Sequence, residues 1–119
     1  MKIYLATAYS SPSGRIEEFR FRRINELAAH ILAEGHIVFS PISHSHPIAM
    51  AGNLPKTFGF WEEQARAFIV WADELWVYRG DGWLESKGVE REMLMARNTG
   101  KPVEYIDWRG NGVPRLPKG

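Results

Sequence analysis

The chemistry-bearing residues of this 119-residue chain cluster in three stretches, and the most suggestive is Ser86-Lys87-Gly88-Val89-Glu90-Arg91-Glu92. Wound at ~100° per residue, this stretch puts Val89, Met93 and Ala96 in one stripe, with Glu92 beside it and Met95 on the far side of Glu92. Glu90 falls on the polar side near Arg97. A carboxylate pressed against apolar groups is desolvated, while the positive end of its helix favours the anion. The two effects oppose each other, so Glu92 is expected to be reactive and still ionised at neutral pH. A boundary glutamate on an amphipathic helix occupies the same kind of position with no chemical role.

The second stretch, Thr7 to Arg15, sets hydroxyls, Gly14 and Arg15 ahead of a helix N-terminus. Unpaired backbone N–H groups and the helix dipole favour an anion there, so Thr7, Ser10 and Arg15 are candidate phosphate contacts. Equally, Ser13 serves as an N-cap and the other hydroxyls as turn residues. Neither the phosphate-loop pattern of the nucleoside triphosphatases nor the G-x-G-x-x-G dinucleotide pattern is present. The third stretch is His44-Ser45-His46-Pro47. Two histidines on alternate loop residues without a third ligand at a clear spacing do not make a metal site, so no metal is expected. His46 reads as a substrate or phosphate contact or as a plain loop residue. Asp73 reads as a helix end or turn.

These stretches need a scaffold. Lys2 to Ala6 reads as a buried strand, followed by an amphipathic helix carrying Ile16, Phe19, Ile24, Leu27, Ala28, Ile31 and Leu32 and ended by Gly35. His36 to Phe39 is a second strand, completing a β-α-β unit. Ile42 to Pro55, with its Pro, Gly and small polar residues, reads as a long loop. Thr57 to Trp71 is helical, Glu74 to Tyr78 a third strand, Ser86 to Thr99 a helix ended by Gly100, and Pro102 to Ile106 a fourth strand. From Arg109 the tail is expected to be irregular. The alternation predicts one α/β domain over residues 1–119, a doubly wound, mostly parallel sheet in a three-layer α/β/α sandwich. In such sheets ligands bind beyond the carboxyl ends of the strands, which sends the loops after the first three strands to one cleft.

Composition narrows the function classes. The 45% hydrophobic and 24% charged residues are those of an ordinary globular protein. Fifteen Lys and Arg against fourteen Asp and Glu leave a net charge of +1, so no broad field draws polymeric nucleic acid or an anionic membrane. An anion has to be caught locally. With no cysteine there is no disulfide, thiolate metal site or cysteine nucleophile, which fits a cytoplasmic protein. The apolar run Ile3-Tyr4-Leu5-Ala6 is too short for a signal peptide or a membrane span. Five Trp in so small a chain are expected to line a ligand pocket or a subunit interface as readily as a core.

Lys2-Ile3-Tyr4-Leu5-Ala6-Thr7-Ala8-Tyr9-Ser10-Ser11, then Val38-Phe39-Ser40-Pro41-Ile42-Ser43-His44-Ser45-His46-Pro47-Ile48, then Ala72-Asp73-Glu74-Leu75-Trp76-Val77 and finally Gly82-Trp83-Leu84-Glu85-Ser86-Lys87-Gly88-Val89-Glu90-Arg91-Glu92 occur in this order. In that order they resemble the small bacterial and phage proteins of unknown function in the nucleoside 2-deoxyribosyltransferase-like superfamily, over nearly the whole chain to about Tyr105. The resemblance implies a flavodoxin-like (Rossmann-like) sheet and a homo-oligomer, dimer or tetramer, acting on a small nucleoside or nucleotide without a cofactor. It implies that Glu92 is a nucleophile attacking the anomeric carbon, that Tyr4 orients it, and that water or a second base resolves the sugar–enzyme intermediate. Ser86 is implied as a phosphate-binding serine, and the block containing Trp83 and Gly88 as part of the substrate site. One departure stands out. Active members carry an aspartate about two helical turns before the Ala72-Asp73 pair, where this chain reads Gln64-Ala65-Arg66. Loss of an acid there slows cleavage by roughly two to four orders of magnitude. The alternative implied is a nucleotide-binding sensor module with weak or absent catalysis.

Overall fold

The computed structural model describes residues 1–118. The chain runs β1 (Lys2–Ala6), α1 (Gly14–Ala33), β2 (Ile37–Phe39), α2 (Pro41–Gly52), α3 (Phe58–Trp71), β3 (Glu74–Tyr78), α4 (Lys87–Asn98) and β4 (Val103–Ile106). The four strands form one sheet in the order β2-β1-β3-β4, every pair parallel. Tyr4 stands beside Phe39 on one side and Leu75 on the other, and Leu75 beside Val103. The chain leaves β1 toward one edge to make β2 and returns to the other side of β1 to make β3. That reversal is the topological switch point at which doubly wound sheets bind ligands.

Side chains alternate across the sheet. Ile3, Leu5, Trp76, Tyr78 and Ile106 meet the α1 stripe of Ile24, Leu27, Ala28 and Ile31 on one face. Tyr4, Ala6, Leu75 and Val77 meet Ala65 and Ile69 of α3 and Val89 and Ala96 of α4 on the other. Each large aliphatic side chain removed from water on these faces contributes about 1.5–3 kcal/mol. Beyond β4 the described residues of the tail form no regular element, yet Trp108 and Leu116 pack onto the α1-side core and the Tyr78 hydroxyl donates to the Trp108 carbonyl at 2.9 Å.

The sequence-based boundaries of α1, α3, α4 and all four strands agree with the structure to within one or two residues. The segment 42–55 does not, because it is mostly helix rather than loop. Pro41 sits in the first turn, where a missing N–H does no harm, and Ser45 and Ala49 are buried one turn apart. Asn53 closes α2 in the left-handed conformation (φ 52°), its N–H reaching the Ala49 carbonyl. Pro47 lies inside the helix, where a proline removes one backbone bond. This helix is therefore held by its packing on α1 and β1 rather than by propensity.

The tryptophans divide between the core and the cavity. Trp76 is fully buried, Trp71, Trp83 and Trp108 pack against the two cores, and Trp61 lines the cavity described next.

Candidate active site

A cavity of about 500 Å³ opens where the loop after β1, the start of α2, the α2–α3 connection and the first turns of α4 converge. Its walls include the aromatic side chains of Tyr4, Tyr9, Phe39, Phe58 and Trp61, and its polar groups include Thr7, Ser10, His46, Lys56, Gln64, Ser86 and Arg91. That size and composition suit a small aromatic ligand with a few polar handles.

Glu92 lines this cavity and is 6% exposed. Tyr4, on the central strand, is fully buried and donates its hydroxyl to Glu92 Oε2. Burial pushes the Glu92 carboxyl up to about 8, against a smaller downward pull from the Tyr4 hydroxyl. The carboxyl is thus mostly protonated at neutral pH, contrary to the expectation of an ionised group. Glu92 is the sixth residue of α4, and the helix dipole acts mainly within the first turn. Desolvation wins. The same burial, with Glu92 alongside, pushes the Tyr4 hydroxyl well above its ordinary value, which keeps it a donor.

The start of α4 forms the polar wall. Ser86 is the N-cap, its Oγ accepting the Val89 N–H at 3.2 Å, which leaves its own proton to donate. Gly88 lets α3 approach, since a Cβ there would stand 3.3 Å from Phe58 Cδ1. Lys87, Arg91 and the exposed Glu85 complete this side.

The loop after β1 is pinned from several directions. Ser10 Oγ donates to the Lys56 carbonyl at 2.9 Å, and Glu17, buried in the first turn of α1, accepts from the Ser11 N–H and from Lys56 Nζ, each at 3.1 Å. Arg20 donates to the Tyr9 and Ser10 carbonyls and pairs with Asp81 at 3.0 Å, tying this loop to the one after β3. Gly82 makes room for that guanidinium. Its φ is +76°, and a Cβ would fall 2.3 Å from Arg20 Nη2.

Thr7, Ser10, His46, Ser86, Gly88, Tyr4 and Glu92 are therefore brought together on one cavity. Arg15 is exposed near the start of α1 and does not line it. Arg20, five residues further on, is the arginine that grips the loop. Trp83 faces a separate shallow hollow with Met93 and Arg97. Asp73 accepts the Lys2 N–H at 2.8 Å and so joins α3 to the sheet. His44 bonds to Gln64 at 3.1 Å, and His46 to Tyr9 at 2.5 Å and Glu18 at 3.0 Å. Among the described residues no three His, Asp or Glu side chains converge as metal ligands. Sequence reasoning did not single out Tyr9, Phe39, Lys56, Phe58 or Trp61 as site residues, and it marked Gln64 only as standing where a carboxylate is missing. A weak signal existed for the wall that α2 builds, because Ile42, Ser45 and Ala49 share a helical face.

Residues 1–107 match the model of a family described as a domain of unknown function, DUF1937. The chain belongs to the DUF1937 family. Its fold is similar to that of a solved 2-deoxyribosyltransferase from the psychrotolerant bacterium Bacillus psychrosaccharolyticus, with a TM-score of 0.62 and 24% identity over 90% of this chain and 72% of that one. No curated protein matches the sequence. This DUF1937 chain thus has the α/β fold of a nucleoside-modifying transferase, and among its described residues no helix is long and apolar enough to cross a membrane.

Proposed function

We propose that the protein cleaves the N-glycosidic bond of a nucleoside or nucleotide, passing the sugar through a covalent ester on Glu92 to water or to a second base. The observation that carries this reading is a carboxyl buried beside the cavity, bonded to the fixed hydroxyl of Tyr4 and facing aromatic walls. In its anionic form Glu92 attacks the anomeric carbon. The C–N bond breaks, its electron pair leaves with the base, and the acceptor later displaces the carboxylate from the face the base has left. Tyr4 holds the attacking carboxylate in one orientation. Phe39, Phe58 and Trp61 offer stacking surface for a base, and Ser86 with the first N–H groups of α4 offers an anion site for a 5′-phosphate.

Incubation with deoxynucleosides and their monophosphates should release free base, detected by chromatography, and Glu92→Gln should abolish release. Base release that persists in Glu92→Gln would sink the assignment. A second reading, a nucleotide sensor with little catalysis, draws on the wall of α3 that carries Gln64 and Ala65 in place of a carboxylate. A nucleotide that raises the melting temperature without being consumed would select it. With the enzymatic reading goes a homo-oligomer working in the cytoplasm, for which the exposed Phe60, Leu84 and Leu94 supply apolar contact surface. A chain that sediments as a monomer at high concentration would count against the assembly.

A further inference from the structure

Departure of a base requires a proton, and the cavity supplies no obvious carboxylic acid for it. Its lining carboxyls are Glu92, already used as nucleophile, and Glu85, exposed on the turn before α4. A different group of residues on the same wall is arranged for proton transfer. Tyr9 is 8% exposed and its hydroxyl lies 2.5 Å from His46 Nδ1, while His46 Nε2 lies 3.0 Å from Glu18 Oε2. The imidazole is stacked on Phe21, with centroids 4.2 Å apart, and meets the Tyr9 ring edge-on. Both Tyr9 and His46 line the cavity, whereas Glu18 is half-exposed on α1.

An ionised carboxylate only accepts hydrogen bonds, so Nε2 carries a hydrogen toward Glu18. A neutral His46 then accepts the Tyr9 O–H at Nδ1. When the ring holds one more proton, Nδ1–H donates to the Tyr9 oxygen and frees the phenolic hydrogen to point into the cavity. Taking the proposed glycosidic reaction as given, we propose that Tyr9, His46 and Glu18 form the proton relay of this site, with Tyr9 as the group that touches the leaving base.

The step balances. As the C–N bond breaks toward the base, Tyr9 gives its proton to the base nitrogen and takes the Nδ1 proton of His46, leaving a neutral imidazole. In the second half the incoming water or base returns one proton to Tyr9, which passes its own back to Nδ1. One relay is thus acid in one step and base in the next, as microscopic reversibility requires. The Tyr9 hydroxyl is pushed up to about 12 by burial and by the charges of Glu17 and Glu18, so it hands a proton on rather than standing as an anion. Arg20, bonded to the Tyr9 carbonyl, fixes the backbone that carries the ring, and Lys56 is held by Glu17 on the neighbouring side. Glu18 and His46 act through Tyr9 and are positioning residues.

The test is single-turnover release from two 2-deoxyribosides, one carrying a natural base and one carrying p-nitrophenolate, which departs without protonation. Tyr9→Phe should lose about 10²–10⁴-fold on the natural base and much less on p-nitrophenolate. His46→Gln should repeat the pattern more weakly, and Glu92→Gln should lose both substrates. Equal losses of Tyr9→Phe on the two substrates, or transfer of the leaving-group dependence to Glu85→Gln, would overturn the relay while leaving the glycosidic reading intact. A wild-type chain that releases neither leaving group would overturn both. Independently of turnover, ¹⁵N spectra of the whole protein should show neutral His46 protonated on Nε2, with its Nδ1 resonance moving in Tyr9→Phe. An Nδ1-protonated neutral ring would exclude the relay.

Discussion

Glu17 and Glu92 are equally hidden, each 6% exposed, the first bracing the loop after β1 and the second lining the cavity, but the protein treats them differently. Glu17 sits in the first turn of α1 with a backbone N–H and a lysine ammonium within 3.1 Å. Glu92 sits a turn and a half into α4 with only the Tyr4 hydroxyl as partner. A buried carboxylate with a cation, an amide and a helix N-terminus is part of the scaffold. One with a single neutral donor is destabilising as an anion, and folds do not keep such a group for stability. The contrast separates a group that holds the loop after β1 in place from a group whose burial is offset by no charged partner, the one the proposed reaction uses.

The largest expected effect is that of Glu92→Gln, which should lower base release by about 10³-fold or more while making the fold more stable. The folded-state value is raised from 4.5 to about 8, so the folded state holds the proton more tightly than the unfolded chain. Stability contributed by this group is complete below about pH 4.5 and declines as pH rises toward 8. Removing the titration should stabilise the variant by something on the order of 3–5 kcal/mol at pH 8, with the difference fading toward pH 4. Urea melts of both proteins across that range measure it, and a variant less stable than wild type at pH 8 would break the comparison. Glu17→Gln has the opposite sign. It should destabilise by about 1–3 kcal/mol, because Lys56 and the Ser11 N–H lose a charged acceptor.

A smaller effect is expected of Tyr4→Phe. The phenol is the one hydrogen bond that pulls the Glu92 carboxyl down, so without it the carboxyl should lie higher still. Under the proposed mechanism the rising limb of kcat/KM against pH is expected near pH 8 in the wild type, where the Glu92 carboxyl ionises, and it should move to higher pH in the variant. At pH 7 the variant should lose roughly tenfold for each unit of that displacement. An unmoved limb would mean that Tyr4 orients the carboxylate without tuning it.

How much of this was legible follows from what holds each part. β1 and β3 are runs of Ile, Leu, Val and aromatic residues, and α1 and α4 repeat their apolar residues with helical period, so local pattern alone located them. Glu92 could be placed beside a buried stripe for the same reason, and Tyr4, Ser86 and Gly88 came from family resemblance. α2 was not legible, because Ser, His, Pro and Gly are weak helix formers and only burial of Ser45 and Ala49 against the rest of the protein makes the segment helical. A loop over residues 42–55 would leave the cavity without the wall that α2 builds. It would also separate His46 from Tyr9 and Glu18, which are 37 and 28 residues away in sequence and meet only once α2 packs on α1. The charge balance of Glu92 was misjudged because spacing reveals which side a residue faces but not how completely it is enclosed.

The smallest expected effect comes from Lys56→Met, and it sharpens the distinction between scaffold and site. The Lys56 ammonium is 3.1 Å from Glu17, but its side chain is 36% exposed, so solvent screens the pair and the cost to stability should be within about 1 kcal/mol. Glu17 keeps its bond from the Ser11 N–H, and the Lys56 carbonyl still accepts from Ser10 whatever side chain stands there. The fold should therefore barely register the change. Lys56 nevertheless lines the cavity, and its charge can attract an anionic ligand there. A monophosphate substrate should consequently show a KM raised several-fold with kcat nearly unchanged, and an uncharged nucleoside should show neither change. If both substrates suffer equally, the lysine serves only to brace Glu17, and the scaffold side of the site extends further into the cavity than the contrast between the two glutamates implies.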